Sequence, residues 1–256
     1  MSTRASQFSA HVVAREQVSE HLVRLVLGGL DDFVSTGVPD EWVGLVVPGQ
    51  FQSRYYTVRH FDSGRLTLDV VVHEVGLVTE WAKGDCVGDP VTITEPKSSF
   101  APPPGSRWLL LVGDLTALPA MARICEAHPE LDVRVWAEVA DDLTGYLPDG
   151  PRVTWLSPPG PGESALAEVV TGIEWPQGPG YFWMAGESAQ MRTIRKHLMR
   201  ERRLASDDYD VMGYWRGVAR RQPRAVDPAP IYAAGKAAGK SDQEIWADYD
   251  AAQEDQ

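Results

Sequence analysis

Ala101-Pro102-Pro103-Pro104-Gly105-Ser106-Arg107-Trp108-Leu109-Leu110-Leu111-Val112 divides the 256-residue chain into two parts with different rhythms. Three consecutive prolines stiffen the segment and remove backbone donors, so residues 101–106 read as a linker. Before it, short β-like runs follow one another with little helix between them: Phe8 to Arg15, His21 to Leu27, Trp42 to Val47, Tyr55 to Phe61, Arg65 to His73 and Pro90 to Thr94. This pattern predicts an antiparallel six-stranded β-barrel over residues 1–103. After the linker, strands and helices alternate: Trp108 to Val112, a helix from Thr116, Val133 to Val139, Val153 to Leu156, a helix from Ser164, Tyr181 to Ala185 and a helix from Ser188. Alternation predicts an α/β domain with a parallel sheet over 104–224. The fold class is therefore β followed by α/β, with an acidic tail over 225–256.

Composition narrows the classes of function. The net charge of −12 argues against nonspecific nucleic-acid binding, because phosphates need a basic face. Cys86 and Cys125 have no C-x-x-C spacing, and the histidines form no paired motif, so no metal site is assigned. The N-terminus has no apolar signal region, and no window approaches the roughly 20 apolar residues of a membrane span, which predicts a cytoplasmic chain without membrane partners. A monomer is expected.

Three segments carry chemistry. Arg54-Tyr55-Tyr56-Thr57-Val58-Arg59 places a guanidinium, an aromatic ring and a hydroxyl within four residues of a strand, with Arg54 and Tyr56 on one face. Those groups suit the pyrophosphate, ring system and redox-active edge of a flavin dinucleotide. Gly76-Leu77-Val78-Thr79-Glu80-Trp81-Ala82 reads as a turn into a short helix, whose first N–H groups can cradle phosphate; an ordinary strand-to-helix turn explains it equally. Gly113-Asp114-Leu115-Thr116-Ala117-Leu118-Pro119 follows an apolar strand, with Thr116 as expected N-cap and Pro119 in the first helical turn. No G-x-G-x-x-G is present.

In this order the segments resemble the FAD-dependent siderophore-interacting proteins, or ferric-siderophore reductases, of the ferredoxin-reductase-like superfamily. The resemblance runs from about Phe8 to about Gly217, and also draws on His73, on Ala185-Gly186-Glu187-Ser188 and on Tyr214-Trp215-Arg216. It implies that Arg54 holds FAD phosphate, that Tyr56 stacks on the ring system, and that Thr57, followed by Val58, lies near the reactive nitrogen. It implies flavin contacts also for His73, Gly76, Val78, Thr79 and Trp81. Gly113, Asp114, Thr116, Ala117, Pro119, Gly186 and Glu187 would line the side that receives NADPH or NADH, with Tyr214 and Trp215 near the cofactors. No side chain is required as acid or nucleophile. The chain departs from the family in Leu77-Val78, where Pro-Ala is usual, and in Leu115, where an acid is usual.

Between Arg192 and Arg224 lie ten of the 24 basic residues against four acids, a segment of +6 in a chain of −12. A solvated helix face explains most of them. Arg192 or Arg195 is the candidate for the nucleotide, and Arg216 and Arg220 for an anionic ferric complex. Residues 241–249 read as a short helix with an Ile245, Trp246 and Tyr249 stripe. The resemblance implies a flavoenzyme that takes hydride from NAD(P)H and passes single electrons to siderophore-bound Fe(III), releasing Fe(II). Alternatives are a reductase feeding another acceptor, a noncatalytic siderophore-binding protein, and reduced ferredoxin as electron donor.

Overall fold

A computed structural model describes residues 6–50, 52–72 and 76–216, all within one compact unit that ends at Arg216. The first half comprises β1 (Gln7–Ser19), β2 (Leu22–Gly28), β3 (Trp42–Val46), β4 (Arg54–Asp62), β5 (Arg65–Val71), the short helix α1 (Leu77–Lys83) and β6 (Pro90–Thr94). These strands close into an antiparallel barrel in the order β1-β2-β5-β4-β3-β6. Alternation explains the closure: Leu66, Leu68 and Val70 of β5 are fully buried, and Leu25 and Leu27 of β2 face Leu68 and Leu66 across the ladder. Ile93 of β6 pairs with both Phe8 and Leu45 and joins the last edge to the first.

The second half comprises β7 (Trp108–Asp114), α2 (Leu118–Ala127), β8 (Asp132–Glu138), β9 (Arg152–Leu156), α3 (Leu166–Gly172), β10 (Gly180–Glu187), α4 (Ser188–His197) and β11 (Tyr209–Trp215). Its strands form a parallel sheet ordered β11-β10-β7-β8-β9. All seven residues of β7 are buried, as a central parallel strand covered on both faces requires. Leu109 and Leu111 pack with α2 on one face, while Leu110 and Val112 pack with α3 and α4 on the other.

Several boundaries differ from expectation. Strands β7 and β10 each run two residues further than their apolar cores, so Gly113, Asp114, Gly186 and Glu187 are strand residues rather than loop residues. The helix expected from Thr116 starts at Leu118, with Ala117 at its N-cap, and the helix expected from Ser164 starts at Leu166. Strand β11 was not anticipated. Of its residues Val211 alone is classed as buried, so this edge strand carries little apolar signature. On α4 Met191 and Ile194 are buried, and the same row continues to buried Leu198, which opens a π-helical turn over Leu198–Arg202. Among the described residues no helix is long and apolar enough to cross a membrane.

Candidate functional site

The sheet order reverses between β7 and β10: the chain steps from β7 to β8 and β9 on one side, then returns to β10 and β11 on the other. Open α/β sheets receive ligands outside the carboxyl ends of their strands at such a point. Here that edge carries Gly113 and Asp114 of β7, Gly186 and Glu187 of β10, and Trp215 of β11. The packing is tight enough to dictate glycine. A Cβ on Gly186 would lie 2.5 Å from Asp114 Oδ2, and the residue's φ of +151° itself disfavours a side chain. At Gly113 a Cβ would lie 2.5 Å from that of Ala117.

Asp114 is fully engaged. Its Oδ1 accepts from the Thr116 N–H at 2.9 Å and the Thr116 hydroxyl at 2.5 Å, and its Oδ2 accepts from the Trp215 indole at 2.6 Å. Thr116 does not cap α2 as expected: the helix starts at Leu118 with Ala117 at its N-cap, and Thr116, one residue earlier, gives both its donors to the carboxylate two residues upstream in an Asx-type turn. Pro119 does fall in the first turn. Burial raises the Asp114 pKa, and the bonds from Thr116 and Trp215 act against that rise. Glu187 caps α4, accepting from the N–H groups of Ala189 at 2.6 Å and Gln190 at 3.1 Å. The Ser188 hydroxyl donates to the Trp215 carbonyl at 2.7 Å, so the ends of β10 and β11 are tied as well.

On the barrel, Arg54 and Tyr55 are exposed, Tyr56 is half-buried against the barrel core, and Thr57 and Val58 are buried. Burial pushes the Tyr56 phenol up to about 12, against the pull of Arg54. Tyr55, 63% exposed, is the barer aromatic of the pair and was not singled out by sequence. Gly76, at φ +151°, precedes α1, whose Val78 and Thr79 are buried; the Trp81 indole donates to Asp89 at 2.8 Å. His73 and Arg220 lie outside the described residues, as does the helix expected over 241–249.

Thr57 and Tyr214 are brought together from the two halves. Both hydroxyl oxygens are buried, and among the described residues neither makes a hydrogen bond of regular geometry. Burial, with the charge of Asp40 adding to it, holds the Tyr214 phenol well above its ordinary range. A flavin supplies what this junction lacks, a polar edge to meet a buried hydroxyl, and the exposed guanidinium and neighbouring aromatic of β4 match its phosphate and ring system. The residues fit FAD.

The basic segment is less uniform than its composition. Arg192, Arg195 and Arg216 are all exposed, but the Arg195 guanidinium donates to the Val211 carbonyl, which makes Arg192 the better placed of the two nucleotide candidates on α4. Arg202 lies over the Trp175 ring at 4.6 Å. Sequence reasoning also missed the links that hold barrel to sheet. Arg59 makes two bonds to Glu126, at 2.6 and 3.0 Å, and Arg123 reaches the Val58 carbonyl at 2.7 Å. Asp69 takes Arg24 at 2.7 and 2.8 Å as well as the Tyr146 phenol, and Asp141 takes the Ser19 hydroxyl, the His21 N–H and the His21 ring. Each pair is 45 or more residues apart in sequence, where no local spacing reveals it.

A closed barrel followed by a parallel sheet of this strand order is the ferredoxin-reductase-like fold. Residues 49–100 match the siderophore-interacting FAD-binding domain, and residues 106–217 match the siderophore-interacting protein model. The chain belongs to the siderophore-interacting protein family. It is 32% identical to an uncharacterized protein of Mycobacterium tuberculosis, with 80% of this chain and 88% of that one covered. It is 26% identical to the NADPH-dependent ferric-chelate reductase of Escherichia coli, over 80% and 91% of the two chains. A siderophore utilization protein from T. fusca superposes with a TM-score of 0.70 at 29% identity, covering 84% of this chain and 94% of that one.

Proposed function

We propose that this chain is an NAD(P)H-dependent ferric-siderophore reductase, with residues 1–103 as its flavin half and 104–224 as its nucleotide half. The observation that carries this reading is the convergence of two sites. Thr57, on the barrel strand that also carries Arg54 and Tyr56, meets Tyr214 of the last strand of the sheet, whose switch point is the site assigned to the nucleotide. Bound FAD supplies the conversion from a two-electron donor to a one-electron acceptor. The chain's own residues bind and orient. Arg54 offers a fixed charge to phosphate, Tyr56 offers a ring face, and the buried Thr57 hydroxyl offers a hydrogen bond that excludes water from the same position.

On the sheet side, Gly113 and Gly186 let Ala117 and Asp114 pack closely at the strand ends assigned to the nucleotide, and Arg192 is an outward cation for a nucleotide phosphate. Arg216, exposed at the end of β11, is assigned to the anionic iron complex. Siderophores hold iron through hard oxygen donors that suit Fe(III) better than Fe(II), so reduction loosens the metal. Leu115, in place of the usual acid, packs against the sheet core and leaves the Gly113, Asp114 and Thr116 geometry intact, which favours turnover over a carrier role.

The test is anaerobic incubation of the FAD-loaded protein with NADPH, a ferric siderophore and a chromogenic Fe(II) chelator. Colour that depends on protein, nucleotide and ferric complex together is expected. Oxidation of NADPH with no Fe(II) trapped would assign the electrons to another acceptor.

A further inference from the structure

We propose that Asp114 is a positioning residue whose carboxylate clamps the Trp215 indole across the carboxyl edge of the sheet and so fixes the wall of the nucleotide crevice. The inference rests on the reductase reading, and it gives Asp114 a role other than touching the cofactor. A carboxylate at the end of β7 invites assignment as a direct ligand, but both of its oxygens are already used. One holds the Thr116 turn, at 2.9 and 2.5 Å, and the other holds the indole, at 2.6 Å. The carboxyl is buried, so its hydrogen bonds do not compete with water.

Neighbouring contacts aim at the same result. Gly186 stands beside Asp114 Oδ2, where any side chain would displace the carboxylate from the indole. The Trp215 backbone is held independently through its carbonyl by Ser188, and a Cβ on Gly213 would lie 2.6 Å from that serine's hydroxyl oxygen. With its backbone fixed by one bond and its ring by another, the indole has a single orientation. Trp215 is half-buried, so its ring lies partly on the surface at the carboxyl edge that also carries Gly113 and Gly186. The clamp joins the ends of β7 and β11 through one carboxylate, with Gly186 of β10 packed beside it.

Nine tryptophans make bulk fluorescence uninformative, so the experiment uses FAD-loaded protein labelled with 15N at its indoles. Trp215→Phe identifies the Trp215 signal by its disappearance. Asp114→Asn is expected to move that signal and to raise the NADPH concentration for half-maximal flavin bleaching about tenfold, the scale of one lost charge-assisted hydrogen bond, with flavin content unchanged. Trp215→Phe should raise it comparably, and the double variant should be no worse than either single one. An indole signal that stays in place in Asp114→Asn, or losses that multiply in the double variant, would overturn the clamp. Should Asp114→Asn fail to fold, unchanged half-saturation in Trp215→Phe would overturn it. The indole signal is read without nucleotide. If neither NADPH nor NADH bleaches the wild-type flavin, the reductase reading falls and takes the clamp's role at the crevice with it, while the signal still reports the hydrogen bond.

Discussion

Thr57 carries a buried hydroxyl for which the described residues provide no regular partner, and such a group costs stability unless a ligand meets it. Thr57→Val should therefore leave the thermal stability of the flavin-free protein unchanged or raise it by up to about 1 kcal/mol, while weakening FAD severalfold. Calorimetric FAD titration beside a melting curve of the flavin-free form checks both directions. Tyr56 and Tyr55 separate in a different way. Tyr56→Ala should lose flavin and also about 1–3 kcal/mol of stability, because half of its ring packs on the barrel core. Tyr55→Ala should change stability little, since that side chain is 63% exposed. Flavin fully retained in Tyr56→Ala and lost in Tyr55→Ala would place the ring system against the other aromatic. Gly186→Ala, which combines a φ of +151° with a 2.5 Å approach to Asp114, should cost about 1–3 kcal/mol, read from chemical denaturation.

Among the elements, the loop after β8 shows how the two halves are joined and how that joint responds to acid. Burial works to raise the Asp141 pKa, but hydrogen bonds from Ser19 and from the His21 backbone and ring outweigh it and hold the carboxyl below its ordinary 3.8. A depressed folded pKa contributes stability that is present above 3.8 and lost as pH falls through the folded value. Melting temperature should thus fall below about pH 4 in the wild type, and Asp141→Asn should remove part of that acid sensitivity while lowering the melting temperature at pH 7 by about 2–4 °C. Identical acid profiles for the two proteins would show that Asp141 does not contribute. Elements of this kind mark the limit of sequence reading. Strands with an alternating or continuous apolar core, such as β5 and β7, were legible because burial imposes a period. Strand β11 was not, since its burial comes from pairing with β10 at the sheet edge rather than from its own apolar residues. The Thr116 capping error has a similar origin: the preference for a hydroxyl at an N-cap is local, whereas the chain turns once more at the Asp114 carboxylate before α2 begins at Leu118.

For the whole molecule, the order of barrel, linker and parallel sheet was legible because each half has its own hydrophobic rhythm and three prolines separate them. The candidate site was legible only as pieces. Sequence named Thr57 and Tyr214, and Asp114 and Trp215, but nothing in their spacing showed that each pair meets in space, 157 and 101 residues apart. Charge was legible in sum and not in detail, since Arg195 and Arg202 belong to the basic segment and yet are committed to the Val211 carbonyl and the Trp175 ring. The central claim is that this joined site moves electrons from a nicotinamide nucleotide through flavin to siderophore-bound iron. Its most direct test is an anaerobic titration of the FAD-loaded protein with NADPH and then NADH, followed by a ferric siderophore, with visible flavin absorbance as the readout. Bleaching by a nucleotide and recovery on addition of the iron complex is the predicted result; a yellow protein that neither nucleotide bleaches would contradict it.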